Sequence, residues 1–223
     1  SPEWDHQRDR FIKGWNDRHK VSSESRRRLS SHASRAGVPP LGGNEPDTDW
    51  TLAENREALR LNHLSWKSEA LPSLPDLSQM LDEAVAAQHD WESMGTAKRA
   101  EILDRVADQM ASDRFKTLAC LRVDGKKAVA DADGEVSEAI DFARYYARTA
   151  EVPAGLNATA LGVVAVVSPW NFPYAIPAGG VLAALMAGNS VILKPAPATV
   201  QTAWLLVQQL WRAGVPREVL HFY

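Results

Sequence analysis

Apolar positions recur every three or four residues through the first two thirds of the chain, then condense into short solid runs. Trp4, Phe11 and Trp15, spaced by seven and four, predict an amphipathic helix from Glu3 to about His19. Alone, that aromatic face would be exposed, so it is expected to pack on a neighbouring domain. Leu52, Leu59 and Trp66 predict a second helix from Thr51 to about Ala70. Asp76, with Gln79 three residues on, reads as the N-cap of a helix carrying Leu77, Met80, Leu81, Ala84 and Val85. Thr96 is expected to cap the next helix, in which Ala100, Leu103, Val106, Ala107 and Met110 repeat at three and four. A shorter helix is expected from about Ser112 to Val123, ending at Asp124-Gly125. Asp133 is expected to cap another, with Val136, Ala139, Ile140, Ala143 and Ala147 on one face.

After Pro153 the pattern changes. Gly162 to Val167 is wholly apolar and rich in β-branched residues, which predicts a strand buried on both faces, as in a parallel sheet. A helix from Ala175 to about Ala187 should end at Gly188-Asn189. Ser190-Val-Ile-Leu193 predicts a second buried strand. Thr199 is expected to cap a helix through Trp204, Leu205, Val207, Leu210 and Trp211 that stops at Gly214-Val-Pro216. Val219–Tyr223 would be a third strand, and its abrupt end marks the chain as a suspected fragment. The order β-α-β-α-β implies an α/β fold: a helical amino-terminal part, then the first βαβαβ of a doubly wound, Rossmann-like parallel sheet.

Gly37 to Pro46 packs three prolines and three glycines into ten residues and marks a domain boundary. The organisation expected is a helix and basic linker over 1–43, then a domain over 44–223 that is helical across 51–150 and sheet across 161–223. Residues 1–40 carry nine Lys/Arg against five Asp/Glu, whereas the whole chain has a net charge of -3. The basic excess peaks at Arg26-Arg-Arg28 among serines, a composition that reads as linker. No aromatic residues interleave those arginines, which argues against a single-strand nucleic-acid patch, and the net charge argues against a general nucleic-acid binder. No window approaches a membrane span, and the polar, charged start is unlike a signal peptide. A single cysteine excludes a disulfide framework and fits a reducing, cytoplasmic setting.

Ligands of parallel α/β sheets bind at the carboxyl ends of the strands. The first strand runs into Ser168-Pro-Trp-Asn-Phe-Pro173 and the second into Lys194-Pro-Ala-Pro197. Prolines on either side of Asn171 pin its backbone, so its amide could be aimed at a developing oxyanion; equally, the side chain could only close a turn. Lys194 could reach ribose hydroxyls or a phosphate, or be a solvated strand end. The G-x-G-x-x-G fingerprint is missing after the first strand, and Gly179-Gly180, within the following helix, reads as a packing feature. Cys120, among apolar residues, reads as a buried inert thiol. His6, His19 and His32 lack metal-ligand spacing, so no metal site is expected. Glu135 and Glu138 read as helix-start carboxylates favoured by the dipole rather than as an acid/base pair.

Taken together, Asp124-Gly-Lys126, the run Gly134 to Ala147, Leu161 to Pro173 and Ala187 to Pro195 resemble the amino-terminal half of an aldehyde dehydrogenase, over about Leu77 to Tyr223. PWNFP and GNSVILKP at this separation make the likeness specific. Asn44-Glu-Pro-Asp-Thr-Asp49 with Asn55-Arg56 is similar, over a shorter stretch, to the lead-in of the dehydrogenase module of bifunctional proline utilisation A proteins. There the module follows a flavin-dependent proline dehydrogenase barrel. Residues 1–43 would then be the tail of such a barrel, and FAD would belong only to it.

The resemblance implies NAD-dependent oxidation of L-glutamate γ-semialdehyde, the hydrolysed form of pyrroline-5-carboxylate, to glutamate. In the family a cysteine thiolate attacks the aldehyde, an asparagine amide and a backbone amide hold the oxyanion, hydride passes to the nicotinamide, and a glutamate-activated water releases the acid. Asn171 matches the oxyanion asparagine. Ser168, Pro169 and Trp170 match the cofactor side of that loop, and Lys194 matches the ribose-binding lysine. Pro197 stands where many members carry a ribose-gripping glutamate, which leaves NADP as well as NAD open. The segment Val152–Leu161 is shorter than the strand-forming excursion many members use for oligomerisation. The family's nucleophile and general base would lie beyond Tyr223, so the chain alone is expected to be inactive. Expected partners are a small-molecule aldehyde, the remainder of the chain or a complementary fragment, and further copies in a homo-oligomer. Two other readings stay open: a dehydrogenase for a different aldehyde or semialdehyde, and a non-catalytic binding module. Downstream pocket residues and a nucleophile loop would separate them.

Overall fold

A computed structural model describes residues 2–17, 44–73, 76–151 and 159–223. The basic run Arg26-Arg-Arg28, the boundary glycines 37–43 and most of the segment 152–161 lie outside the described residues, as do His19 and His32. The chain divides into two units, Ser1–Gly37 and Val38–Tyr223.

In the first unit, α1 spans Pro2–Asp17. The predicted aromatic face forms: Trp4, Phe11 and Trp15 are all exposed, and no described residue of the helix is buried.

The second unit opens with an irregular strap, 44–50, laid against the helices that follow. Glu45 N–H donates to Asp141, and Thr48 donates through N–H and Oγ1 to Asp133, at 2.7–2.8 Å. Five helices follow: α2 (Ala53–Ser65), α3 (Leu77–Ser93), α4 (Thr96–Ser112), α5 (Arg114–Val123) and α6 (Val129–Arg148). Asp76 caps α3 as expected, accepting from Gln79 N–H at 3.0 Å. Ile102, Leu103, Val106, Ala107 and Met110 of α4 and Ala132, Val136, Ala139, Ile140 and Ala143 of α6 meet in a buried core. A Leu→Ala change at a site as enclosed as Leu103 costs about 2–5 kcal/mol.

Four local expectations fail for identifiable reasons. Thr96 is the first residue of α4, not its cap; Gly95, at φ 86°, turns the chain into the helix instead. Asp133 does not start α6. The apolar repeat extends upstream through Val129 and Ala132, and Asp133 is an interior residue whose buried carboxylate takes Arg114 at 2.7 Å as well as Thr48. Glu135 and Glu138 are therefore also mid-helix, not at a helix start. Thr199 occupies the N-cap position of α8 (Val200–Ala213), preceded by a 3-10 turn over Pro197–Thr199, but its side chain makes no capping bond.

The last third forms β1 (Val163–Val167), α7 (Ala175–Met186), β2 (Ser190–Lys194), α8 and β3 (Leu220–Phe222). The strands are parallel in the order β1-β2-β3. The α/β, parallel-sheet expectation holds. The expectation that β1 is buried on both faces does not: Ala165 and Val167 are exposed, whereas Ser190 to Leu193 of central β2 are buried. β1 is an edge here, with one neighbour among the described residues, and its alternating exposure is that of a strand covered on one face. Gly179 and Gly180 behave as packing residues: a Cβ would meet Phe142 at 3.2 Å from the first and Val166 at 3.1 Å from the second.

Candidate active site at two strand tips

The β1–β2 register pairs Val167 with Lys194, so the two strands end side by side. The ladder continues one residue beyond β1, with Ser168 N–H donating to the Lys194 carbonyl at 3.4 Å. Ser168 is buried, and the chain then turns out into an exposed loop over Pro169, Trp170, Asn171 and Phe172. Trp170 is 64% exposed. Lys194 projects from the neighbouring tip, exposed, its Nζ donating only to the Pro195 carbonyl at 3.3 Å among the described residues. Pro197 lies three residues on, also exposed, opening the 3-10 turn before α8. The strand tips thus bring the sequence-predicted residues Ser168 to Asn171 and Lys194 to one end of the sheet.

Asn171 does not close a turn with its side chain. Its amide makes no hydrogen bond among the described residues; its carbonyl instead accepts from Lys127 Nζ at 3.1 Å. The loop's shape is fixed through the main chain, which leaves the amide free to serve a ligand.

Three residues that hold this arrangement, Asp124, Lys127 and Glu135, are not among the sequence-predicted site residues. Glu135 of α6, fully buried, accepts from the N–H groups of Tyr174 and Ala175 at 2.7 and 3.0 Å, at the start of α7. Its other oxygen accepts from Lys127 Nζ at 2.5 Å. Asp124, just after α5, does the same for α8, accepting from Thr202 N–H and Oγ1 at 2.8 and 2.7 Å. A carboxylate at a helix N-terminus satisfies orphan amides and favours the dipole. Both helices that follow the strand tips therefore already hold a protein anion, which agrees with the missing phosphate-binding glycines. The Asp124-Gly-Lys126 motif flags the turn, but the pairing of Asp124 with Thr202, 78 positions on, and of Glu135 with Tyr174, 39 positions on, is not a sequence-local signal.

Two buried groups are electrically silent at neutral pH. Burial pushes the Cys120 thiol up to about 12, with Thr202 Oγ1 at 3.6 Å as its polar neighbour. Burial likewise raises the Tyr174 hydroxyl, which donates to Gln209 at 2.7 Å. No cluster of metal-ligating side chains occurs among the described residues, and no described helix is long and apolar enough to cross a membrane.

A parallel α/β sheet whose first two strands end in a proline-pinned amide and a lysine is a nucleotide-type scaffold with two candidate polar groups at its ligand end. The aldehyde dehydrogenase family model matches residues 70–223, and the chain belongs to that family. A 1-pyrroline-5-carboxylate dehydrogenase of Anoxybacillus flavithermus is 38% identical over 155 residues, 64% of this chain and 30% of that protein. One from Geobacillus thermodenitrificans is 37% identical over 195 residues, 82% of this chain and 38% of that protein. The chain thus spans about a third of the length of these relatives. Among solved structures, proline utilization A of Bdellovibrio bacteriovorus is similar at TM-score 0.72 and 31% identity, over 80% of this chain and 24% of that one. Proline utilization A of Corynebacterium freiburgense is similar at TM-score 0.70 and 36% identity, over 97% of this chain and 22% of that one.

Proposed function

We propose that this chain is the amino-terminal, cofactor-binding part of an enzyme that oxidises L-glutamate γ-semialdehyde to glutamate with NAD+. The observation that carries the reading is the Val167–Lys194 pairing, which sets an unbonded amide and a nearly unengaged ammonium on adjacent tips of one sheet. The names of the relatives support the substrate, and the likeness spanning 97% of the chain supports reading 1–43 as the tail of a preceding domain.

The residues present fit a dinucleotide. Lys194 is exposed and nearly unengaged, so its ammonium can donate to ribose hydroxyls. Ser168, Pro169 and Trp170 wall the cofactor side of the loop. Pro197 offers only a carbonyl toward the ribose, so NADP is admitted as well. The Asn171 amide donates to the aldehyde oxygen as charge develops there, a stabilisation worth about 3–4 kcal/mol in the transition state. NAD+, when bound, supplies the hydride acceptor. The thiolate must come from outside this chain, because its one cysteine, Cys120, is buried and protonated.

The test is NADH formation by an active enzyme containing this chain. Asn171→Ala lowers kcat by about 10²–10³-fold with KM for NAD+ little changed. Unaltered turnover in that variant would refute the assigned role. The 223-residue chain alone gives no turnover.

A further inference from the structure

We propose that Lys127 and Glu135 are positioning residues that set where the Asn171 amide points; this rests on the function above. One lysine and one carboxylate, both largely buried, tie the loop down at both ends. Lys127 Nζ donates to the Asn171 carbonyl at 3.1 Å and lies 4.2 Å from the centre of the Phe172 ring. Glu135 takes the amides of Tyr174 and Ala175, where the loop becomes α7. Between these anchors, Pro173 is buried against the Asp124–Lys127 turn, 3.6 Å from where a Cβ on Gly125 would lie. Four consecutive residues of the loop, Asn171 to Tyr174, are therefore each held by this turn or by Glu135. The Asn171 side chain takes no part and stays free.

The same turn, through Asp124, holds the start of α8, the helix after the Lys194 loop. One short turn between α5 and α6 thus references both loops to a single rigid point. An amide that stabilises an oxyanion works only when its direction is fixed before charge develops. A clamp on the carbonyl of the same residue fixes the main chain from which that amide projects.

Hydrogen exchange on the 223-residue chain gives a readout independent of turnover. Lys127→Met speeds exchange of the Tyr174 and Ala175 amides, which Glu135 accepts, by about tenfold or more, while the β2 amides keep their protection. Lys127→Arg restores slow exchange. Glu135→Gln, which keeps an oxygen for the two amides but loses the charge, loosens them less. It is the variant to read should Lys127→Met strip protection from β2 as well. In an active enzyme containing this chain, Lys127→Met lowers kcat by about 10- to 100-fold, leaves KM for NAD+ within about twofold, and is rescued by Lys127→Arg. Unchanged exchange at Tyr174 and Ala175, or loosened exchange with unchanged kcat, overturns the proposal. Asn171→Ala leaves exchange unaltered; if it also leaves turnover intact, the functional reading fails while the clamp stands as a structural one.

Discussion

A lysine at a strand tip is ordinarily solvated, and Lys194 is exposed. What separates it from that ordinary case is its neighbour, since Val167 beside it leads into a loop whose amide is left unbonded. Lys194→Ala in an active enzyme should raise KM for NAD+ about tenfold or more, with kcat little changed; equal affinity in both forms would leave the ammonium a mere strand end. Cys120 is the opposite case, a reactive residue type made inert by placement. Its thiol should resist alkylation in the native chain at pH 8 and react on unfolding. The sign of its pH effect follows from the raised value. The folded state holds the proton from the ordinary thiol value of 9.0 up to about 12. Between those limits stability falls as pH rises, by up to about 1.4 kcal/mol per unit. Tyr174 adds a loss of the same sign at higher pH. Cys120→Ala should flatten the decline between pH 9 and 10, as read by urea unfolding.

The turn from Asp124 to Lys127 joins α5 to α6 and also reaches α7 and α8. It needs glycine at 125, where a Cβ would lie 2.9 Å from the Leu121 carbonyl oxygen. Gly125→Ala should therefore cost about 1–3 kcal/mol in a denaturant titration, and loosen the Asn171 loop along with it. The helices and strands themselves were legible because their apolar repeats are local. So were the two strand tips, since a solid apolar run ending in proline, asparagine or lysine is visible in one dimension. Asp133 and Glu135 were not. Both were read as helix-start carboxylates, and both are buried partners of residues on other elements: Arg114 and Thr48 for one, Lys127 and the Tyr174 and Ala175 amides for the other. The burial of β1 was misjudged for a similar reason, because a run of valines does not say how many neighbours a strand has.

In the larger unit, the strap at 44–50 is held to α5 and α6 by a buried arginine. Arg114 donates to Asp133 and Ser137 on α6 and to Glu45 and the Pro46 carbonyl on the strap, at 2.7–3.3 Å. Arg114→Met leaves buried carboxylates short of a partner, so unfolding free energy should fall by about 3 kcal/mol or more; a change under about 1 kcal/mol would mean the strap is only lightly attached. The strap also carries the Asn44–Asp49 segment that resembles a proline utilisation A lead-in. The account as a whole depends on the two strand tips forming one dinucleotide cleft, in which Lys194 and the start of the loop hold the cofactor and the Asn171 amide faces the aldehyde. The direct measurement is an NMR titration of the isotope-labelled chain with NAD+. The predicted result is a set of shifts at Ser168, Trp170, Asn171 and Lys194 that needs at least about tenfold more NAD+ in Lys194→Ala. Shifts confined elsewhere, such as the apolar groove between α3 and residues 216–219, or none at millimolar NAD+, would contradict it.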